Sequence, residues 1–167
     1  IQFKIGKIKL ISKVIDGKFP DYKKVVPTDN DKIVTVISSD KDLMQLVSNK
    51  VRLFDPMKSR VIGEKEVVEK FGVKPEQVID VQSLAGDSSD NVPGVPGIGI
   101  KTAAELINKY KNLDKLLDKA SEIPQNKRRE TLLANKDKAL LSKQLVTLKD
   151  DVPVKNDPNE FLIKDID

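Results

Sequence analysis

Residues 86–110 read GDSSDNVPGVPGIGIKTAAELINKY, and Pro93, Gly94, Pro96, Gly97 and Gly99 all fall within seven of them. No helix persists through such a run, so a turn structure is forced here. Past Gly99 the pattern changes at once. Ala103, Leu106, Ile107 and Tyr110 recur at helical spacing and predict an amphipathic helix. A helix opening directly after glycines presents backbone N–H groups without intrahelical partners, at the positive end of its dipole. Gly97 and Gly99 are read as positions of positive φ or close backbone approach. Lys101 and Thr102 add a cation and a hydroxyl at the same end. The arrangement predicts a helix–hairpin–helix over residues 75–110, able to hold a nucleic-acid backbone through amides without reading bases. A plain Pro/Gly turn between helices is the alternative.

Composition narrows the chemistry. The 167 residues contain no Cys and no His. Disulfides, thiolate nucleophiles, imidazole zinc sites and His acid–base catalysis are therefore excluded. A metal would be held by oxygen, which favours Mg2+ or Mn2+. No run is long or apolar enough to span a bilayer, and no secretory signal opens the sequence, so no membrane partner is expected. The net charge of +4 is unevenly placed. Residues 1–33 carry eight Lys and four Asp, whereas residues 34–167 balance 22 basic against 22 acidic groups. Overall basicity is thus no argument that the larger part binds nucleic acid.

Candidate ligands come in two pairs. VTVIS, from Val34, reads as a short buried strand, and SSDKDLMQLVS after it as a helix with Leu43, Leu46 and Val47 on its apolar stripe. Asp40 lies where strand gives way to helix, with Asp42 two residues on; both could reach one cation, or Asp40 could be a helix N-cap and Asp42 solvated. Asp87 and Asp90 form the second pair, at the mouth of the glycine-rich turn. Two cations about 4 Å apart can stabilise the attacking and leaving oxygens in phosphodiester hydrolysis.

The remaining chain reads as short elements. VRLFDP is a strand ending at Pro56. A helix is expected from Gly63 to Phe71, stopped by Gly72, with Val67, Val68 and Phe71 inside. Another begins at Pro75 and buries Val78, Val81 and Leu84. NLDKLLDKA places Leu113, Leu116 and Leu117 on one stripe, and NKRRETLLANKDKALLSKQLVTL reads as one long helix or two stacked ones. Lys127, Arg128 and Arg129 cluster at its start, against the dipole, and are candidates for DNA contact or a solvated charge run. At the front, IQFKIGKIKLISKVIDGK alternates like a β-hairpin with a lysine-rich face. At the end, residues 160–167 read as a tail. The fold class expected is an α/β remnant, predominantly α-helical, with the helix–hairpin–helix and an N-terminal β-hairpin.

Two resemblances follow from these residues. SSDKDLMQLVS, VIDVQSLAGDSSDNVPGVPGIGIKTAAELI and LSKQLVTLKDDVPV, over residues 34–159, resemble the C-terminal half of the 5′-nuclease family. More narrowly they resemble the 5′→3′ exonuclease domain of bacterial DNA polymerase I, kin to flap endonucleases. The resemblance implies a magnesium- or manganese-dependent nuclease of replication and repair, cytoplasmic and nucleoid-associated in bacteria. It implies metal carboxylates at Asp40, Asp42, Asp87 and Asp90. It also implies a duplex-binding hairpin at Gly94, Val95, Gly97, Ile98, Gly99, Lys101 and Thr102, whose carbonyls hold a monovalent cation, usually K+. Its implied partners are duplex or flapped DNA and a polymerase domain or an N-terminal nuclease half. The family's first-strand Asp and its Glu-x-Asp-Asp cluster have no match upstream of Val34, so weak, salt-dependent duplex binding with little or no cleavage is expected of this chain alone.

Residues 1–30, through SKVIDGKFPDYKKVVP, are instead similar to a piece of the bacterial sliding clamp, as in a fusion joined near residues 32–34. A non-catalytic DNA-binding module and a clamp-derived interaction fragment stay open as alternatives.

Overall fold

A computed structural model describes residues 33–153. The expected N-terminal hairpin, the clamp-like connector and the tail fall outside these residues.

The chain enters as β1 (Val34–Ile37), a run of β-branched residues suited to a half-buried strand. It pairs in parallel with β2 (Val51–Asp55), Val34 opposite Val51 and Ile37 opposite Phe54. β2 then pairs antiparallel with β3 (Arg60–Ile62), giving a sheet of order β1-β2-β3. β3 had no alternating pattern to announce it. Three residues are too few to show a period, and the turn that makes it carries Ser59 at φ 49°.

Between β1 and β2 lies a 3₁₀ turn, Lys41–Leu46, rather than an α-helix. The difference moves the apolar face. In a 3₁₀ turn residues three apart eclipse, so Met44 and Val47 share the inward side while Leu46 is 40% exposed. The stripe predicted through Leu46 is corrected accordingly.

α1 (Glu64–Phe71) is closed as expected by Gly72 in the left-handed region. Glu66 reaches back to the Gly63 N–H at 2.8 Å and fixes its start. Val67 and Phe71 are buried, but Val68 is 43% exposed and does not face the core. A second 3₁₀ turn, Pro75–Gln77, leads into α2 (Val78–Ala85), whose Val78, Val81 and Leu84 are fully enclosed. α2 is the central element: α3 (Ile100–Tyr110), α4 (Leu113–Asp118) and α6 (Lys136–Val146) pack on it.

α3 buries Ala103, Leu106 and Ile107, and α4, capped by the Asn112 side chain on Lys115 N, buries Leu113, Leu116 and Leu117. A 3₁₀ turn, Ala120–Glu122, connects to α5 (Asn126–Ala134). The long C-terminal pattern is two helices, broken at Asn135, whose side chain returns to Thr131 O at 2.9 Å. The fold is thus helix-dominated with a small mixed sheet. Among the described residues no helix is long and apolar enough to cross a membrane.

Candidate functional site

The turn between α2 and α3 is built on backbone fit. Asp87 and Val92 exchange both N–H···O bonds, at 2.9 and 2.8 Å, and Val95 N donates to Leu84 O at 2.7 Å. Gly86 and Gly94, at φ 71° and 58°, lie face to face; a Cβ on Gly94 would stand 2.5 Å from Gly86 N. Within the protein the close backbone approach is between Gly86 and Gly94, while Gly97 and Gly99 face open space. Gly97 does adopt positive φ, 76°, but Gly99 is an extended N-cap at φ −88°, which any residue could adopt.

The hairpin residues singled out in the sequence divide into two groups. Val95 and Ile98 are buried, and their amides donate to Leu84 O and Val95 O. Gly94 is buried and its N–H is held by Ser142 Oγ at 3.0 Å. Gly97, Gly99 and Lys101 face outward, and Thr102 is half-buried. A Cβ on either Gly97 or Gly99 would meet nothing within 4 Å. The first intrahelical bond of α3 is Ala103 N to Gly99 O, so the preceding amides of α3 have no partner among the described residues.

Asp42, Asp87 and Asp90 converge, each offering an oxygen within 4.8 Å of the others. They come from the 3₁₀ turn after β1 and from the loop after α2. Asp40 stands beside this group as the N-cap, its Oδ1 accepting from Asp42 N at 3.0 Å. Gln82 of α2 donates from Nε2 to Asp42 Oδ1 at 2.6 Å. Lys41 is ion-paired to Asp87 and donates to Ser89 Oγ at 3.2 Å. Ser89 in turn donates to Asp87 Oδ1 from its hydroxyl at 2.5 Å and its amide at 3.0 Å.

The electrostatics of the two half-buried acids diverge. Burial pushes the Asp42 carboxyl above the usual carboxylate range, and the charges of Asp40, Asp90 and Asp87 push the same way against the Gln82 hydrogen bond. Burial also acts to raise Asp87, but the bonds from Lys41 and Ser89 outweigh it and hold that group low. The bond to Asp87 is the main reason the Lys41 ammonium is held above its ordinary value. Three carboxylates without a nitrogen or sulfur donor among them suit a hard divalent cation, so the residues present fit such an ion.

Lys41, Gln82, Ser89 and Ser142 were not singled out from sequence. The signal available was a neutral polar residue at helical spacing from apolar ones, Val78 for Gln82 and Ala139 and Val146 for Ser142. Arg129, predicted with Lys127 and Arg128 as a nucleic-acid contact, donates to Ile123 O at 2.9 Å and Asn126 Oδ1 at 2.7 Å. Its place at the head of α5 thus has an internal reason. Lys127 is exposed, and Arg128 lines a cleft with Glu105, Lys109 and Tyr110.

Residues 73–167 match the family described as 5′-3′ exonuclease, C-terminal SAM fold. The DNA polymerase I of Rhizobium leguminosarum is 56% identical over 131 residues, 78% of this chain and 13% of that protein. A 5′-3′ exonuclease of Buchnera aphidicola is 36% identical over 137 residues, 78% of this chain and 48% of that protein. Among solved structures, a bacteriophage T5 flap endonuclease in a pseudo-enzyme-product complex with DNA and metal ions is similar at TM-score 0.65. It is 28% identical, with 70% of this chain and 43% of that one covered. The chain spans about half the length of the exonuclease relative.

Proposed function

We propose, on the premise that this chain belongs to the 5′-3′ exonuclease family, that residues 33–153 carry a duplex-backbone clamp and one divalent-cation site of a phosphodiesterase. The observation that carries the reading is the convergence of Asp42, Asp87 and Asp90 beside an outward-facing glycine turn.

Asp42, Asp87 and Asp90 would hold Mg2+ or Mn2+, with Asp40 setting the orientation of Asp42 through its amide. When bound, such an ion neutralises charge developing on a phosphate in hydrolysis. Lys41 and Ser89 favour the carboxylate form of Asp87, whereas burial and the neighbouring acids oppose the charge on Asp42 that a bound cation would offset.

At the hairpin, Gly99 has no internal reason to lack a side chain, since its φ is ordinary and the space beside it is empty. A sugar-phosphate strand approaching Gly97 and Gly99 would find that space, with the free first-turn amides of α3, Lys101 and Thr102 around it. Hairpin carbonyls are proposed to hold K+. Lys127 and Arg128 are exposed and half-buried on α5 and are proposed as secondary contacts. Hydrolysis at 5′ ends and flaps, with a polymerase domain or a further nuclease segment as partner, is proposed for the complete family domain. The relatives that match are DNA polymerase I and 5′-3′ exonuclease proteins.

Fluorescence anisotropy with a labelled duplex, repeated from low to physiological salt, tests the reading. Affinity that falls steeply with salt and is indifferent to base sequence is expected. Duplex binding that is absent at low salt, or that survives Gly99→Glu unchanged, would overturn it.

A further inference from the structure

One polar atom near the carboxylate cluster has no partner. Gln82 is 4% exposed, and its Oε1 is a buried side-chain atom left without a hydrogen bond among the described residues. Its other end is firmly placed, because Nε2 donates to Asp42 Oδ1 at 2.6 Å. The reverse orientation of the amide would set two acceptors against each other, so Asp42 fixes which end is which. An orphaned buried carbonyl is costly, and natural interiors retain few of them. α2 also buries Asp80 and Ser83, but Ser83 Oγ donates to Ile79 O at 2.6 Å and Asp80 lies 4.0 Å from Lys143 Nζ, which leaves Gln82 Oε1 as the buried side-chain atom without a partner among the described residues.

We infer that Gln82 is a positioning residue of the cation site. Its Oε1 contacts the hydrated divalent ion held by Asp42, Asp87 and Asp90, while Nε2 aligns Asp42. A neutral oxygen suits this place. Asp40, Asp42, Asp87 and Asp90 already crowd this place with negative charge, and a further carboxylate would add to the repulsion. An amide supplies an acceptor to the ion and a donor to the acid without adding charge. The inference rests on the cation site proposed above and assigns a residue to it.

Mn2+ titration by calorimetry, on the full chain without nucleic acid, separates the two claims. Gln82→Met keeps the volume and length but removes both hydrogen-bonding ends. It is expected to weaken Mn2+ binding about tenfold. Gln82→Glu restores an acceptor oxygen and is expected to recover affinity to at least the native level. Asp87→Asn serves as the control on the site itself. Native-like Mn2+ binding by Gln82→Met, alongside loss in Asp87→Asn, would overturn the role of Gln82 and leave the cation site standing. Failure of the native chain to bind Mn2+ would overturn both. A measurement needing no variant guards against misfolding: in the native chain, the Gln82 side-chain amide resonances are expected to shift on Mg2+ addition. Resonances that stay still while those of the Asp87 and Asp90 backbone move would also overturn the inference.

Discussion

The hairpin and the carboxylate cluster share residues 86–90 yet are held by opposite means. The hairpin closes on itself. Gly86 and Gly94 interlock, the Asp87–Val92 bridge and the Val95 N–Leu84 O bond satisfy its backbone, and Ser142 of α6 holds Gly94 N. The cluster is like charge gathered from two separate segments. Among the described residues it is restrained by the side chains of Lys41, Ser89 and Gln82 and by the Asp40 cap on Asp42. Shape-fitted backbone needs no ligand to be stable, whereas converged carboxylates repel one another and depend on neighbouring donors or a cation to offset it. One region thus combines a backbone-locked turn with a cluster of like charge.

The largest way to break this contrast is Gly94→Ala. Its Cβ would fall 2.5 Å from Gly86 N, at φ 58°. A loss of about 3 kcal/mol is expected in urea unfolding, with duplex binding lost alongside. Ser142→Ala comes next. It strips a partner from the buried Gly94 amide, and a loss of about 1–2 kcal/mol is expected by the same measurement.

Asp42→Asn acts in the other direction. Because the folded-state pKa of Asp42 lies above its unfolded value, the folded chain binds that proton more tightly. Metal-free stability therefore falls as pH rises through the two values. Removing the charge is expected to raise the thermal midpoint near neutral pH, by less than about 1 kcal/mol in stability, and to flatten that part of the pH dependence. Calorimetric melts at several pH values check both, and Mn2+ affinity is expected to drop. The smallest effect on stability belongs to Gly99→Ala, within about 0.5 kcal/mol, since its φ of −88° and open surroundings accept a methyl group. Its duplex affinity is nevertheless expected to fall several-fold in anisotropy. A change in stability without a change in affinity would place Gly99 with Gly94 and erase the distinction between inward and outward glycines.

Local periodicity made much of the fold legible. Val67 and Phe71, Val78, Val81 and Leu84, and Leu113, Leu116 and Leu117 all lie inside as their spacing implied. Gly72 ends α1 and Pro75 opens the turn before α2. Less legible were Leu46 and Val68, whose exposure depends on a 3₁₀ turn and on which neighbours α1 meets, and β3, too short to show a period. Of the four acids, Asp42, Asp87 and Asp90 meet and Asp40 caps. Sequence spacing could pair them but could not bring the pairs together.

The sequence by itself determined the turn at residues 93–99, the apolar faces of the helices and the exclusive use of oxygen for any metal, because torsional limits, helical repeat and side-chain chemistry are local properties. Only the tertiary structure decided that Gly86 meets Gly94, that Arg129 turns back to Ile123 O, and that Gln82 sits against Asp42. Those outcomes depend on how α2 is enclosed by α3, α4 and α6, and contact across elements is set by packing of the whole rather than by any stretch of the chain.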